Sequence, residues 1–144
     1  MITDYAQSQP EAKRAHCASC GAATIEACQT CGSKLRGYEH IPGVFYVGGG
    51  GEPDRNCPDC GQPHPWTKAK QDAVSEWVSV IGNLTDGMKE ELRKALPDIY
   101  TNTAKSELAV FRIKALAREI EDDAREPFLR ALKAAAAPQV ADRL

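Results

Sequence analysis

Three Cys-x-x-Cys-Gly segments constrain this 144-residue chain more than anything else in it: Cys17-Ala18-Ser19-Cys20-Gly21, Cys28-Gln29-Thr30-Cys31-Gly32 and Cys57-Pro58-Asp59-Cys60-Gly61. They contain all six cysteines of the protein. Two thiolates three residues apart can take adjacent corners of one tetrahedral metal site. The glycine after the second cysteine lets the chain turn back with positive φ, so that backbone amides point at the sulfurs. Three such knuckles with no cysteine elsewhere point to a zinc ribbon.

The rest of residues 1–66 explains why a metal is needed there. Apolar residues are scattered, apart from Val44-Phe45-Tyr46-Val47, and glycine and proline are frequent. Such a segment cannot bury enough apolar area to offset its chain entropy. Zinc binding to thiolates is folding free energy in modules of this kind. Short strands are expected around Ile25 and across Gly43–Val47, with Gly48–Gly51 as a loop tip between strands.

Residues 67–144 carry helical periodicity instead. Ala73, Val74, Trp77, Val78, Ile81 and Leu84 recur near every 3.6 residues, and Thr67 is placed to cap that helix. Thr85-Asp86 restarts a helix through Met88, Leu92 and Leu96 that Pro97 is expected to end. Thr103, Ser106 and Glu107 open a long helix carrying Leu108, Phe111, Ala115, Leu116 and Ile120. A last helix runs through Phe128, Leu129, Leu132 and Ala136 to Pro138, with Glu126-Pro127 marking the boundary before it or its first turn. The expected fold is therefore a small α+β chain: a zinc-ribbon domain over 1–66, with short β-hairpins on the cysteine knuckles, then an α-helical domain of about four helices over 67–144. Trp66 and Trp77 are expected to join the two.

Six thiolates in three pairs fill one tetrahedral site and leave a pair over. Cys28/Cys31 with Cys57/Cys60 leaves 25 residues between knuckles, room for a hairpin to return and close a ribbon. Cys17/Cys20 with Cys28/Cys31 leaves only Gly21 to Ala27, tight but feasible. The hairpin in the long gap favours the first pairing, with Cys17 and Cys20 as further metal ligands if others complete their site. The histidines His16, His40 and His64 are the candidates, each also readable as a surface or hydrogen-bonding residue. A Cys17–Cys20 disulfide-exchange site would want a thioredoxin-like βαβ context, which the pattern lacks.

Charge and motifs narrow the function. Net charge is −2, and residues 1–66 hold five Lys/Arg against seven Asp/Glu, a weak electrostatic case for nucleic acid. Its best site is Lys34-Leu35-Arg36-Gly37-Tyr38, two cations and an aromatic beside the second knuckle. No apolar run approaches the ~20 residues of a membrane span. The first residues have no basic-then-apolar leader pattern, so a cytoplasmic location without membrane association is expected. A closed Cys₄ zinc is a poor Lewis acid, and no nucleophile elbow, phosphate loop or His-Glu-x-x-His is present. Glu119, Glu121, Asp122 and Asp123 read as a solvated helix end interleaved with Arg118 and Arg125. The expectation is a non-catalytic zinc protein that acts as an adaptor for a protein partner, with a nucleic-acid-binding ribbon as the alternative.

The run from Cys17 to Ile25, then Cys28–Cys31, Arg36-Gly37-Tyr38-Glu39-His40-Ile41-Pro42-Gly43-Val44, Cys57–Gly61 and Pro65-Trp66-Thr67 resembles the bacterial family called domain of unknown function 2321. The resemblance is densest over residues 17–67. It implies a double zinc-ribbon N-terminus, a helical C-terminal part and no established activity. It also implies a Cys-x-Asn-Gly-His element just before the position of Met1, able to supply a Cys and a His to Cys17/Cys20. Without that element Cys17 and Cys20 are expected to be metal-free or weakly loaded, and an upstream extension is expected to complete them.

Overall fold

The computed structural model describes residues 13–35 and 53–144. The chain divides into two compact units, Met1–His64 and Pro65–Leu144. The strand expected over Gly43–Val47, the glycine run Gly48–Gly51 and His40 lie outside the described residues.

The first unit is built from one backbone module used three times. In each knuckle the residue before the first cysteine bridges antiparallel to the residue two beyond the glycine: His16 to Ala23, Ala27 to Lys34, Asn56 to Pro63. The first cysteine's N–H donates five residues forward, from Cys17 to Ala22 O at 2.8 Å, Cys28 to Ser33 O at 2.8 Å and Cys57 to Gln62 O at 2.9 Å. Its carbonyl accepts from the glycine N–H, at 2.8 Å for Gly21, 2.9 Å for Gly32 and 2.8 Å for Gly61. The outer rung runs from Thr24, Leu35 and His64 N–H to Ala15, Glu26 and Arg55 O, at 3.0, 2.9 and 2.9 Å. Those glycines have φ of +70°, +77° and +71°, a conformation that costs other L-residues roughly 1–2 kcal/mol. Among the described residues the β-structure is confined to these single bridges, and the strand expected around Ile25 is absent. Ala23 and Ala27, either side of it, are each committed to closing a separate knuckle, which leaves no run to extend.

The second unit is helical: α1 (Pro65–Val80), α2 (Asp86–Thr101), α3 (Ser106–Ala117), α4 (Asp122–Ala135) and a short α5 (Pro138–Ala141). Its core joins Val74, Val78, Leu92, Ile99, Ile113 and Phe128, all fully buried. α2 packs chiefly on α3, and α1 on α4 and α2.

Several boundaries differ from those the sequence suggests. α1 starts at Pro65, whose missing N–H is an orphan in any first turn. Thr67 therefore lies inside the helix and is buried. Thr85 does cap α2, its Oγ1 accepting from Met88 N–H at 3.3 Å. Pro97 does not end α2, which continues to Thr101 and stops at left-handed Asn102, φ 51°. A proline inside a helix costs ~3 kcal/mol. Here the added turn buries Ile99 and half-buries Tyr100, worth about 1.5–3 kcal/mol for a fully buried large side chain. Pro97 itself points to solvent and its carbonyl accepts from Thr101 Oγ1 at 2.8 Å. Pro127 likewise sits within α4, and the α3–α4 boundary falls earlier, around Arg118–Glu121.

Arg125 forms that boundary. Its Nε donates to Ala117 O at 2.8 Å, and its guanidinium reaches Ile120 O at 2.6 Å and Arg118 O at 3.1 Å. These carbonyls lie at the end of α3, where the helix leaves acceptors unsatisfied. Asp122 pairs with the same guanidinium at 2.6 Å. The expected salt-bridged surface at this helix end is thus partly a helix cap.

α3 presents the opposite face to the core from the one expected. Ala109, Val110, Ile113 and Ala117 are buried, whereas Leu108 and Phe111 are 48% and 71% exposed. Ile120 lies beyond the helix and is buried at the α3–α4 turn.

Candidate metal centre

Cys28, Cys31, Cys57 and Cys60 converge so that their sulfurs all lie within 4.8 Å of one another. Cys28 Sγ is 3.7 Å from Cys60 Sγ, and Cys31 Sγ is 3.6 Å from Cys57 Sγ. A tetrahedral ion with metal–sulfur bonds of ~2.3 Å requires sulfur–sulfur edges of about 3.8 Å. The spacing and the all-thiol donor set therefore fit a four-coordinate metal, and these four residues can hold a metal ion. Of the two pairings open from the sequence, this is the one across the long gap.

These contacts run between the two knuckles, and Cys31 also faces Cys60. Cys28 and Cys57 are buried, at 5% and 2% exposure, while Cys31 is exposed and Cys60 half-buried.

The backbone favours thiolates at this position. The N–H groups of Cys31 and Thr30 hold the Cys28 thiol down to about 6, with Thr30 N at 3.4 Å from its sulfur. Ser33 supports Cys31, the hydroxyl 3.1 Å from the sulfur, and lowers its pKa. Cys60 behaves oppositely. The Gln62 N–H lowers it, but burial and the neighbouring sulfurs of Cys31, Cys57 and Cys28 outweigh that and push it up to about 12. Four negative sulfurs at these separations repel one another, and only a cation among them lets all four ionise together. Ser33 was not evident from the motif. Its only sequence signal is its place directly after the knuckle glycine.

The other predicted ligands stand apart. Cys17 is half-buried and Cys20 exposed, and neither joins a cluster of three or more ligating groups among the described residues. The Cys20 and Ser19 N–H groups lower the Cys17 thiol, as their counterparts do at Cys28. His16 is exposed beside its bridge to Ala23. His64, read as a surface or hydrogen-bonding histidine, is buried at 1% exposure, its N–H closing the third knuckle on Arg55 O. Lys34 is exposed, while Arg36 to Tyr38 of the nucleic-acid segment lie outside the described residues. No described helix is long and apolar enough to cross a membrane.

No curated protein and no solved structure significantly matches the chain. A family model does, over residues 1–134, and its description reads "Uncharacterized protein conserved in bacteria (DUF2321)". With that match covering both the knuckles and nearly all of the helical unit, the chain belongs to the bacterial family of domain of unknown function 2321.

Proposed function

We propose that this protein is a non-catalytic zinc protein, in which Cys28, Cys31, Cys57 and Cys60 hold a structural Zn²⁺ and the chain serves as an adaptor for a protein partner in the cytoplasm. The observation that carries the metal reading is the pair of sulfur contacts at 3.7 and 3.6 Å, edges of a zinc–thiolate tetrahedron. Four protein sulfurs fill the coordination shell and leave no position for a water or substrate, which separates this donor set from catalytic zinc sites. Zinc suits it because d¹⁰ Zn²⁺ accepts a tetrahedral thiolate shell with no redox change.

The adaptor reading is supported by the solvent face of α3. Phe111 and Leu108 stand on it, 71% and 48% exposed, and large exposed apolar side chains are typical of surfaces buried on association. A nucleic-acid-binding ribbon is the alternative, favoured by exposed Lys34 beside the second knuckle. Binding of duplex DNA and single-stranded RNA in physiological salt separates the two. The adaptor reading expects weak, steeply salt-dependent binding. Submicromolar binding that is lost in Lys34→Ala/Arg36→Ala overturns it.

A further inference from the structure

We propose that the solvent face of α3 docks an acidic amphipathic helix of another protein, laid alongside α3 with its apolar residues on Leu108, Phe111 and Ala115 and its carboxylates on Lys105, Arg112 and Lys114. The inference rests on the adaptor reading and gives the chemistry of the partner.

Leu108, Phe111 and Ala115 are all exposed and stand three and four residues apart on the 12-residue helix α3. That is the a–d–a step of a coiled-coil seam. Phe111 is the most exposed large apolar side chain among the described residues. Small Ala115 beside it lets a second helix approach closely, since the side chains at the contact set the distance between helix axes. The other side of α3, with Ala109, Val110, Ile113 and Ala117, is already buried in the core of the helical unit. The helix therefore carries one apolar stripe inward and a second one to solvent.

The charges beside the outer stripe are of one sign. With Leu108 at a, Lys105 and Arg112 fall at e positions and Lys114 at g, on either side of the seam, and Arg118 stands at its C-terminal end. All four are exposed, and none pairs with a carboxylate among the described residues. Elsewhere in the helical unit Lys68, Arg93, Lys94, Arg125, Arg130 and Arg143 do so. Glu107, the one acid between Lys105 and Arg118, is engaged by Arg143. A chain of net charge −2 thus keeps a cationic border around an apolar ridge.

Charge at e and g selects the partner of a helix seam and excludes others. A second copy of this chain would set Arg112 and Lys114 against the same cations. A nucleic-acid backbone follows a continuous positive groove, whereas here Leu108 and Phe111 stand between the cations. A bilayer holds an amphipathic helix in proportion to the apolar area buried, and two large apolar side chains supply little. A helix with apolar a and d residues and Glu or Asp at e and g satisfies both the ridge and its border. Contact along α3 extends about 18 Å, which places the complex among small, transient interfaces.

Fluorescence anisotropy of two designed peptides against the full, zinc-loaded chain tests this. Both carry Leu at a and d over about three heptads, one with Glu and the other with Lys at every e and g position; the like charges keep each peptide from pairing with itself. The expected result is micromolar binding of the Glu peptide that weakens with added salt, with the Lys peptide at least about tenfold weaker. Phe111→Ser should weaken the Glu peptide about tenfold or more. Arg112→Glu/Lys114→Glu should reverse the preference and bind the Lys peptide more tightly, a gain that a misfolded variant does not produce. No binding of the Glu peptide, equal binding of the two peptides, or an unreversed preference in the double variant overturns the inference. So does submicromolar binding to duplex DNA, or to vesicles of equal parts phosphatidylserine and phosphatidylcholine, that is lost in Arg112→Glu/Lys114→Glu. Failure of the Glu peptide with weak nucleic-acid binding defeats this inference alone and leaves the adaptor reading standing. Submicromolar nucleic-acid binding lost in Lys34→Ala/Arg36→Ala defeats the adaptor reading itself.

Discussion

The sulfur of Cys31 lies 3.6 Å from that of Cys57, 26 positions further along the chain. This contact ties two knuckles that are otherwise independent local turns. In a unit where apolar burial is sparse, a metal held there would supply the long-range link. Replacing Cys57 with serine removes one ligand and leaves a buried hydroxyl among thiols. Zinc affinity is expected to fall by more than about a hundredfold, since even outer-shell changes cost 10–100-fold. NMR should then show dispersion lost from residues 13–35 and 53–64, with the helical unit from Pro65 retained. Competition with a chromophoric chelator gives the affinity.

The knuckle glycines make a graded test of the same centre. Gly32 has φ +77° and nothing within 4 Å of where a Cβ would sit, so Gly32→Ala introduces backbone strain without a clash. The strain is roughly 1–2 kcal/mol, and the metal affinity is expected to drop about tenfold with the site still all-sulfur. Cobalt substitution reads both effects, the binding constant and the thiolate charge-transfer bands.

Arg125 should matter to the helical unit in proportion to the carbonyls it serves. Arg125→Ala removes the side-chain donor shared by the Ala117, Arg118 and Ile120 carbonyls, of which Ala117 O keeps the Ile120 N–H. Hydrogen bonds to a charged group contribute about 1.5–3 kcal/mol, and a loss of about 2 kcal/mol in urea unfolding is expected. Arg125→Lys should recover less than half of it, because an ammonium cannot reproduce the planar fork.

Tyr100 gives the helical unit a defined alkaline limit. Burial raises its phenol from 10.0 to about 12, the negative Asp72 adds to this, and the Ser75 hydroxyl opposes it. Its hydroxyl donates to Gln71 O at 3.3 Å. Because the folded state favours the neutral phenol, the stabilisation is complete below pH 10 and is lost as pH rises through 12. Tyr100 is partly solvated, so the contribution is about 1–2 kcal/mol. Tyr100→Phe should flatten the pH dependence of unfolding in that window and leave the slope near neutrality unchanged.

The metal centre was largely legible because its information is local. Each Cys-x-x-Cys-Gly carries its own turn, and the 25 residues between Cys31 and Cys57 allow the second and third knuckles to meet. The cue used to choose that pairing, a hairpin over Gly43–Val47, lies outside the described residues. Helix existence was legible too, as the four main helices follow the apolar repeats. Which face turns inward was not legible in α3. Ala109, Val110, Ile113 and Ala117 line one side while Leu108, Phe111 and Ala115 line the other, so periodicity alone selects neither. Pro97 and Pro127 misled because a proline's local penalty is comparable to the burial gained by one further turn. Of the two readings open for His64, surface or hydrogen-bonding, burial rules out the surface one, and its N–H closes the third knuckle.

Zinc K-edge X-ray absorption on the Cys17→Ser/Cys20→Ser chain, which isolates the four-cysteine centre, is the most direct test of the account. The prediction is one zinc per chain with four sulfur scatterers at about 2.3 Å and no nitrogen or oxygen in the first shell. A first shell containing oxygen or nitrogen, or a zinc-free protein whose residues 13–35 and 53–64 remain folded, would contradict it.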